Sequence, residues 1–264
     1  MRLLRSAIAY AKSTLLPPTQ RWRQAQSKEI QYWRTTPPYY MPWLARLNRF
    51  GYRAGEPSRY DRYVDCLPLS TITSRFAFIQ LPDRPVVVDL GCGPSGIGYA
   101  LSHSGTTYCI DPLLDEYRNL PGYKEHIFDR LPSGKVLVCQ PGESAVIDER
   151  ADLVFCINVL DHTKAPSAVL NNCSRLLKRG GHLFLLVDGY LNGRPRVIDP
   201  LHPHQFSAEG LRSLIEACGM TLVHFQEEES LHGGRIQQLQ VAFQNLGRSR
   251  KIQFGEFLAI ATKG

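Results

Sequence analysis

The sequence has 264 residues, of which 43% are hydrophobic and 21% charged, and no apolar run reaches the length of about 18–20 residues that crosses a bilayer. Seven cysteines without a C-x-x-C pair argue against a disulfide framework in a chain of this length, so we expect buried free thiols and a reducing, cytoplasmic compartment. The net charge of +7 is uneven, because residues 1–85 carry 14 Lys+Arg against 5 Asp+Glu and the remainder carries 17 against 19.

The N-terminal part reads as a basic helical extension that also holds all three tryptophans. Its first 16 residues place Leu4, Ile8, Ala11 and Leu15 on one helical face, which predicts a helix that docks on its own domain or touches a membrane surface. Pro17-Pro18 ends this pattern, and further helices are predicted over 20–34, 58–65 and 69–80. We therefore predict an extension over residues 1–85, followed by a separate domain over 86–264.

From residue 86 onwards, short apolar runs alternate with helical stretches. Such alternation predicts a mostly parallel β-sheet covered by helices on both faces, with ligands bound at the carboxyl ends of the strands. The seven predicted strands are 86–90, 108–110, 136–139, 153–157, 182–187, 221–225 and 257–261. The predicted helices between them are 96–104, 113–119, 165–178 and 208–218.

The sharpest local motif is VVVDLGCGPSGIG over 86–98. Gly91, Gly93 and Gly96 form G-x-G-x-x-G between a strand and a helix, where the backbone can approach a ligand closely. Asp111 ends the second strand and can accept hydrogen bonds from ribose hydroxyls. These features fit a nicotinamide cofactor and S-adenosylmethionine alike. Asp89, inside the first strand, favours the second, because nicotinamide sites usually have an apolar residue there.

Four segments in order, VVVDLGCGPSG, YCIDP, ADLVFCINVLDHT and LLKRGGHLFLLVDG, resemble the motifs of class I S-adenosylmethionine-dependent methyltransferases. The similarity extends to HPHQFSAEGLRSLIEACGM and to the terminal EFLAIATKG, and it is greatest with the small-molecule (type 11) group. The resemblance implies a Rossmann-like, seven-stranded, mostly parallel sheet with helices on both faces, behind an N-terminal helical extension. It also implies S-adenosyl-L-methionine as cofactor.

Cofactor contacts follow from the same resemblance. The glycine loop, with Asp89, Gly91, Cys92, Gly93 and Gly96, would line the methionine moiety. Asp111 would hold the ribose, with Pro112 and Leu113 near the adenine. Gln140 and Glu143 would contact the adenine ring, and Asn158 and Val159 would lie near the sulfonium.

Methyl transfer from a sulfonium needs an aligned nucleophile and, for a hydroxyl, a general base. His162 follows Asp161 just beyond the fourth strand and is the candidate base, although both residues can instead simply shape the loop. His202 and His204 follow an insertion at 188–201 and either border the substrate pocket or cap a helix. No second ligand cluster accompanies this pair, so no metal is expected.

The acceptor is the least determined feature. INVLDH lacks the N/D-P-P-Y/F pattern of enzymes that methylate base amino groups, and we expect a small-molecule acceptor methylated at oxygen. The aromatic and arginine-rich segment 31–63 would form a lid that recognises the substrate, or merely pack on the domain. Three alternatives stay open: a nucleic-acid-modifying enzyme that uses the basic extension, a nicotinamide-dependent oxidoreductase, and a non-catalytic relative that keeps the cofactor pocket. The oligomeric state is left undetermined.

Overall fold

The computed structural model describes residues 18–36, 67–192, 202–229 and 253–264. The predicted helices over 1–16 and 58–65 lie outside these residues, as do most of the segment 31–63 and much of the predicted insertion 188–201. Among the described residues no helix has the length and apolar character that a membrane crossing requires.

The extension contributes two described helices. Helix α1, Pro18–Thr35, confirms the predicted helix over 20–34 and begins at a proline, whose fixed φ suits the first helical turn. Strand β1, Leu67–Pro68, leads into α2, Leu69–Thr73. The predicted helix over 69–80 is thus wrong beyond residue 73. Two successive turns follow it, closed by bonds from Phe76 N to Thr73 O and from Ile79 N to Phe76 O, and they bury Phe76 and Ile79.

All seven predicted strands form one sheet. They are β2 Val86–Leu90, β4 Thr106–Ile110, β5 Lys135–Val138, β6 Ala151–Ile157, β7 Leu177–Asn192, β8 Met220–Glu229 and β9 Gln253–Lys263. The order across the sheet is β5-β4-β2-β6-β7-β9-β8. The first five strands in this order are parallel, and β9 runs antiparallel to both of its neighbours.

Helices between the strands follow the predicted positions, with different lengths. The stretch predicted as a helix over 96–104 forms only α3, Ile97–Ala100. It gives way to β3, Leu101–Ser102, because Leu101 turns to an extended conformation and pairs with Leu67 of β1. The other helices are α4 Leu114–Arg118, α5 Tyr123–His126, α6 Pro166–Leu176 and α7 Ala208–Ala217, with short 3-10 turns at Phe128–Arg130 and Leu160–His162.

Two apolar layers cover the sheet. Alternate residues along each strand point to opposite faces, so Val87 and Phe155 belong to one layer while Val88 and Val154 belong to the other. The first layer includes residues of the extension: Trp33, Leu67, Ile72, Phe76 and Ile79. The second is packed by α6 and α7. The described part of the extension therefore shares its core with the sheet, while the domain boundary at residue 85 stays a prediction.

Candidate cofactor and active site

The turn after β2 adopts backbone conformations that favour glycine. Gly91 has φ +75° and Gly93 has φ +54°, both in the left-handed region. A Cβ at Gly91 would lie 2.3 Å from Cγ2 of Val159, so the loop that follows β6 also requires a residue without a side chain there. At Gly93 the space where a Cβ would point is open. The turn thus brings bare backbone against a neighbouring loop and a cavity.

Asp111, directly after β4, is buried and fastens this turn. Its Oδ2 accepts the backbone N–H of Gly93 at 3.0 Å, and its Oδ1 accepts that of Leu113 at 2.8 Å. Burial above all, with the nearby carboxylates of Glu29 and Glu116, raises the pKa of Asp111 to about 7, although these two bonds lower it. The side chain therefore carries a charge that the protein stabilises poorly without a ligand.

Asp89 occupies the interior of β2 and is 2% exposed. Its Oδ2 accepts the backbone N–H of Gly98 at 2.7 Å, which holds the start of α3. Burial, together with the charge of Asp111, raises the pKa of Asp89 to about 7, although the bond from Gly98 lowers it. A Cβ at Gly96 would come within 2.3 Å of Oδ2 of Asp89. The glycine spacing thus leaves room for a buried carboxylate.

A cavity of about 180 Å³ lies between the glycine turn, the ends of β4 and β6, and helix α1. Sequence reasoning gave α1 no part in the cofactor site, yet five residues of this helix line the cavity: Trp22, Ala25, Gln26, Glu29 and Trp33. Their spacing of three, four, seven and eleven residues from the first is that of one helical face. The sequence shows this helical face by its periodicity, but not which site the face covers.

Contacts near both ends of α1 hold it over the cavity. The ammonium of Lys164 lies 3.6 Å from the ring centroid of Trp22, a cation–π contact. The backbone N–H of Lys164 donates to Oε1 of Glu143 at 3.2 Å. Near the other end, the ring of Trp33 meets that of Tyr123 edge-on with centroids 6.4 Å apart, and the hydroxyl of Tyr123 donates to the carbonyl of Thr36 at 3.0 Å. The helix therefore covers the site through aromatic side chains with defined partners.

Eleven of the twelve predicted cofactor residues line this cavity, and their roles toward the cofactor stay predictions. They are Asp89, Gly91, Cys92, Gly93, Gly96, Asp111, Pro112, Leu113, Glu143, Asn158 and Val159. Gln140 is not brought to the cavity, because its Oε1 accepts the backbone N–H of Val146 at 2.9 Å. The thiol of Cys92 lies 3.2 Å from the hydroxyl of Tyr99, and burial raises its pKa.

The two predicted catalytic residues lie beside the cavity, and His202 joins them. Asp161 is 1% exposed, and among the described residues neither of its carboxylate oxygens accepts a hydrogen bond. Nε2 of His162 lies 3.8 Å and Nε2 of His202 lies 3.9 Å from Oδ2 of Asp161. His162 lines the cavity, whereas Asp161 stands behind it. A buried carboxylate without hydrogen bonds favours a positive charge beside it.

A metal ion is one group that this cluster could hold. The ligand atoms of Asp161, His162 and His202 all lie within 4.8 Å of one another. Catalytic zinc often has three such protein ligands and an open position. The fold brings His202 to Asp161 from a distant part of the chain, and the expectation that no metal binds stays a prediction. His204 is not in the cluster, since its Nε2 lies 2.9 Å from the carbonyl of Thr163.

The residues present fit S-adenosylmethionine, which offers an amino group, two ribose hydroxyls and a sulfonium charge. Carboxylates of Glu29, Asp89 and Asp111 line the cavity and suit such donors. Asn158 also lines it, and its Oδ1 is buried with no hydrogen-bond partner in the described part of the chain. An acceptor-rich cavity of this kind suits a cationic ligand rich in donors. The fold and the site therefore define an α/β domain that binds S-adenosylmethionine.

Sequence comparisons agree with this class. The methyltransferase-domain family matches residues 88–185. The ubiquinone biosynthesis O-methyltransferase of Xanthomonas oryzae pv. oryzae is 31% identical over 104 residues, which are 38% of this chain and 41% of that protein. Its namesake in Coxiella burnetii is 29% identical over 99 residues, 37% of this chain and 41% of that protein. The chain thus spans about two-fifths of the length of the curated relatives it matches.

Solved structures share the fold at low sequence identity. The [4+2]-cyclase SpnF superposes with a TM-score of 0.56 at 15% identity, covering 73% of this chain and 78% of that one. The YcgJ protein of Bacillus subtilis gives 0.53 at 11% identity, covering 73% and 97%. Residues 88–185 are thus similar in sequence to methyltransferase domains, and the described chain shares the fold of these solved structures. These similarities favour S-adenosylmethionine over the nicotinamide-dependent alternative.

Proposed function

We propose that the protein transfers the methyl group of S-adenosylmethionine to a hydroxyl oxygen of a small molecule. The observation that carries the proposal is His162 on the wall of the cofactor cavity, with Nε2 3.8 Å from the buried carboxylate of Asp161. A histidine at that place can take the proton that a hydroxyl loses on methylation. The names of the relatives, ubiquinone biosynthesis O-methyltransferases, support oxygen as the methylated atom.

The bound cofactor supplies a methyl group already activated on a positively charged sulfur. The protein therefore has to align the acceptor, exclude water and remove a proton. The glycine turn and Asp111 orient the donor, while α1 closes the cavity above it. The imidazole of His162 accepts the hydroxyl proton, and the carboxylate of Asp161 stabilises the imidazolium that results. Nε2 of His202 lies 3.9 Å from the same carboxylate.

The remaining expectations on partners stay proposals. A nucleic-acid acceptor and a membrane-surface contact would both use the basic segments 1–16 and 31–63, most of which lie outside the described residues. A cytoplasmic location accords with the six described cysteines, all of which are free. Binding to RNA that weakens steeply with salt, and is reduced when residues 1–16 are deleted and α1 is kept, would support the nucleic-acid alternative.

Two measurements test the proposal in sequence. Calorimetric titration of the full chain with S-adenosylmethionine and S-adenosylhomocysteine should show one site of micromolar or tighter affinity. Release of S-adenosylhomocysteine is then followed with a panel of hydroxylated aromatic acceptors, chosen because Trp22 lines the cavity. No binding of either cofactor form would contradict the proposal at its root. Binding without turnover on any acceptor would instead indicate a non-catalytic relative.

A further inference from the structure

Helix α1 places a third carboxylate at the cavity beside the two that β2 and β4 provide. Glu29 and Asp111 both line the cavity, and the charge of Glu29 acts on the carboxylate of Asp111. Its Oε1 accepts the indole N–H of Trp33 at 2.6 Å. Trp33 is itself 6% exposed and meets the ring of Tyr123 edge-on, with centroids 6.4 Å apart. The carboxylate is therefore held in place by a residue of the core and does not swing freely on the surface.

Asp111 has already committed both of its oxygens to backbone donors, namely Gly93 N–H and Leu113 N–H. A carboxylate has about four acceptor positions, so Asp111 retains part of its capacity for a ligand. Oε2 of Glu29 accepts no hydrogen bond from any described residue. The least committed acceptor at this end of the cavity is thus on α1 and not on the sheet.

Placing Glu29 against Asp111 is unfavourable in the free protein. The two negative charges repel, and the carboxylate of Glu29 is one of the groups that raise the pKa of the buried Asp111. A pair of hydroxyl donors between them would relieve this repulsion, because each carboxylate would then accept a strong, charge-assisted hydrogen bond. The juxtaposition therefore indicates a ligand with two neighbouring hydroxyl groups.

We propose that Glu29 is a cofactor-binding residue that shares the ribose hydroxyls of S-adenosylmethionine with Asp111. The inference rests on the proposed function and adds to it a binding residue from the N-terminal extension. Helix α1 thus binds the ribose directly and also covers it. Since Glu29 belongs to α1, the helix that covers the cavity also contacts the ribose.

The test is calorimetric titration with S-adenosylhomocysteine and with its 2′-deoxy and 3′-deoxy analogues. Glu29→Gln keeps an oxygen for the indole of Trp33 and removes the charge. We expect this variant to raise the Kd for S-adenosylhomocysteine about tenfold. For at least one deoxy analogue the Kd should rise less than twofold, because that analogue lacks the hydroxyl that donates to Glu29.

Glu116→Gln is the matched control. Glu116 is exposed and does not line the cavity, yet its charge also acts on Asp111. It should leave the affinity for all three ligands within twofold. Equal weakening of every ligand by Glu29→Gln, or equal effects of the two variants, would overturn the proposal in favour of a structural or long-range role. Failure of the parent protein to bind S-adenosylhomocysteine would overturn the proposed function itself.

Discussion

Asp111 and Gly93 are joined by a hydrogen bond of 3.0 Å, in which the backbone N–H donates to the carboxylate. The bond links the end of β4 to the turn after β2. The residue predicted to hold the ribose therefore also sets the shape of the turn predicted to hold the methionine moiety. A change at either residue is expected to act on both halves of the cofactor site.

Asp111→Asn tests this link. At pH 8 we expect the Kd for S-adenosylhomocysteine to rise roughly 10- to 100-fold, as for the loss of about 1–3 kcal/mol in a charged hydrogen bond. Burial raises the pKa of Asp111 to about 7, so the parent affinity should weaken as the pH falls from 8 to 6 and the carboxyl group gains a proton. The variant should show a flatter profile. Calorimetry at both pH values measures this, and an unchanged Kd would remove Asp111 from the site.

Asp89 makes the unliganded protein sensitive to pH in its stability. Burial raises its folded-state pKa to about 7 from 3.8, so the folded state binds the proton more tightly than the unfolded state. The resulting stabilisation is present below about pH 4 and is lost as the pH rises to about 7, by at most about 4 kcal/mol. Asp89→Asn should lose less stability than the parent between pH 5 and 7.5. Urea unfolding at the two pH values compares them, and parallel losses would contradict the assignment.

Alanine substitutions at Gly96 and at Gly180 distinguish steric crowding from backbone strain. An alanine at Gly96 would place Cβ 2.3 Å from Oδ2 of Asp89, at an ordinary φ of −66°. Gly96→Ala should therefore abolish cofactor binding and destabilise the fold by about 1–3 kcal/mol. Gly180 has φ +75° and open space around a Cβ, so Gly180→Ala should cost about 1–2 kcal/mol and leave binding intact. Thermal unfolding and titration with S-adenosylhomocysteine are measured for both variants. Equal affinity of the two variants for this ligand would contradict the prediction.

His162→Ala tests the base. Removal of a general base should lower kcat by about 10²–10⁴ while the Kd for S-adenosylhomocysteine changes little. His202→Ala should have a smaller effect on kcat, since His202 does not line the cavity. Dialysis against a chelator should leave turnover unchanged if His162 acts as a base. Loss of turnover that zinc restores would reassign Asp161, His162 and His202 as metal ligands.

Trp22 and Lys164 hold the outer part of α1 over the cofactor, with the ammonium 3.6 Å from the ring centroid. An exposed contact of this kind contributes about 0.5–1 kcal/mol. Lys164→Met removes the charge and keeps most of the length, and should speed dissociation of S-adenosylhomocysteine about two- to fivefold. Lys178→Met, which affects a distant ion pair with Asp152, is the control. Stopped-flow release rates that are equal in both variants would show that this contact does not hold the helix.

The sheet was predictable because the local sequence of each strand is sufficient to identify it. Runs such as VVVDL and LVFCI are apolar on both faces and are set apart by helices and turns. Helix lengths were less predictable. The stretch after Gly96 stops at Ala100 because Leu101 finds a partner in Leu67, and such a long-range pairing leaves no trace in the local pattern.

The candidate site divides in the same way. The glycine turn and the carboxylates next to it are encoded within a few residues of their strands. Glu29 and His202 reach the site from distant segments, so only the assembled fold relates them to it. Gln140 illustrates the converse, since its position after β5 suited a ligand contact and its side chain instead bonds to Val146.

The sheet order has a consequence for synthesis. Strand β9 lies between β7 and β8, although it is made after both of them. While a ribosome is still extending the chain, the open edge of β7 has no permanent neighbour on that side, and β8 has none at all within the sheet. Productive assembly must then wait for residues 253–263, and until they emerge the growing polypeptide exposes strand edges that invite aggregation and chaperone capture.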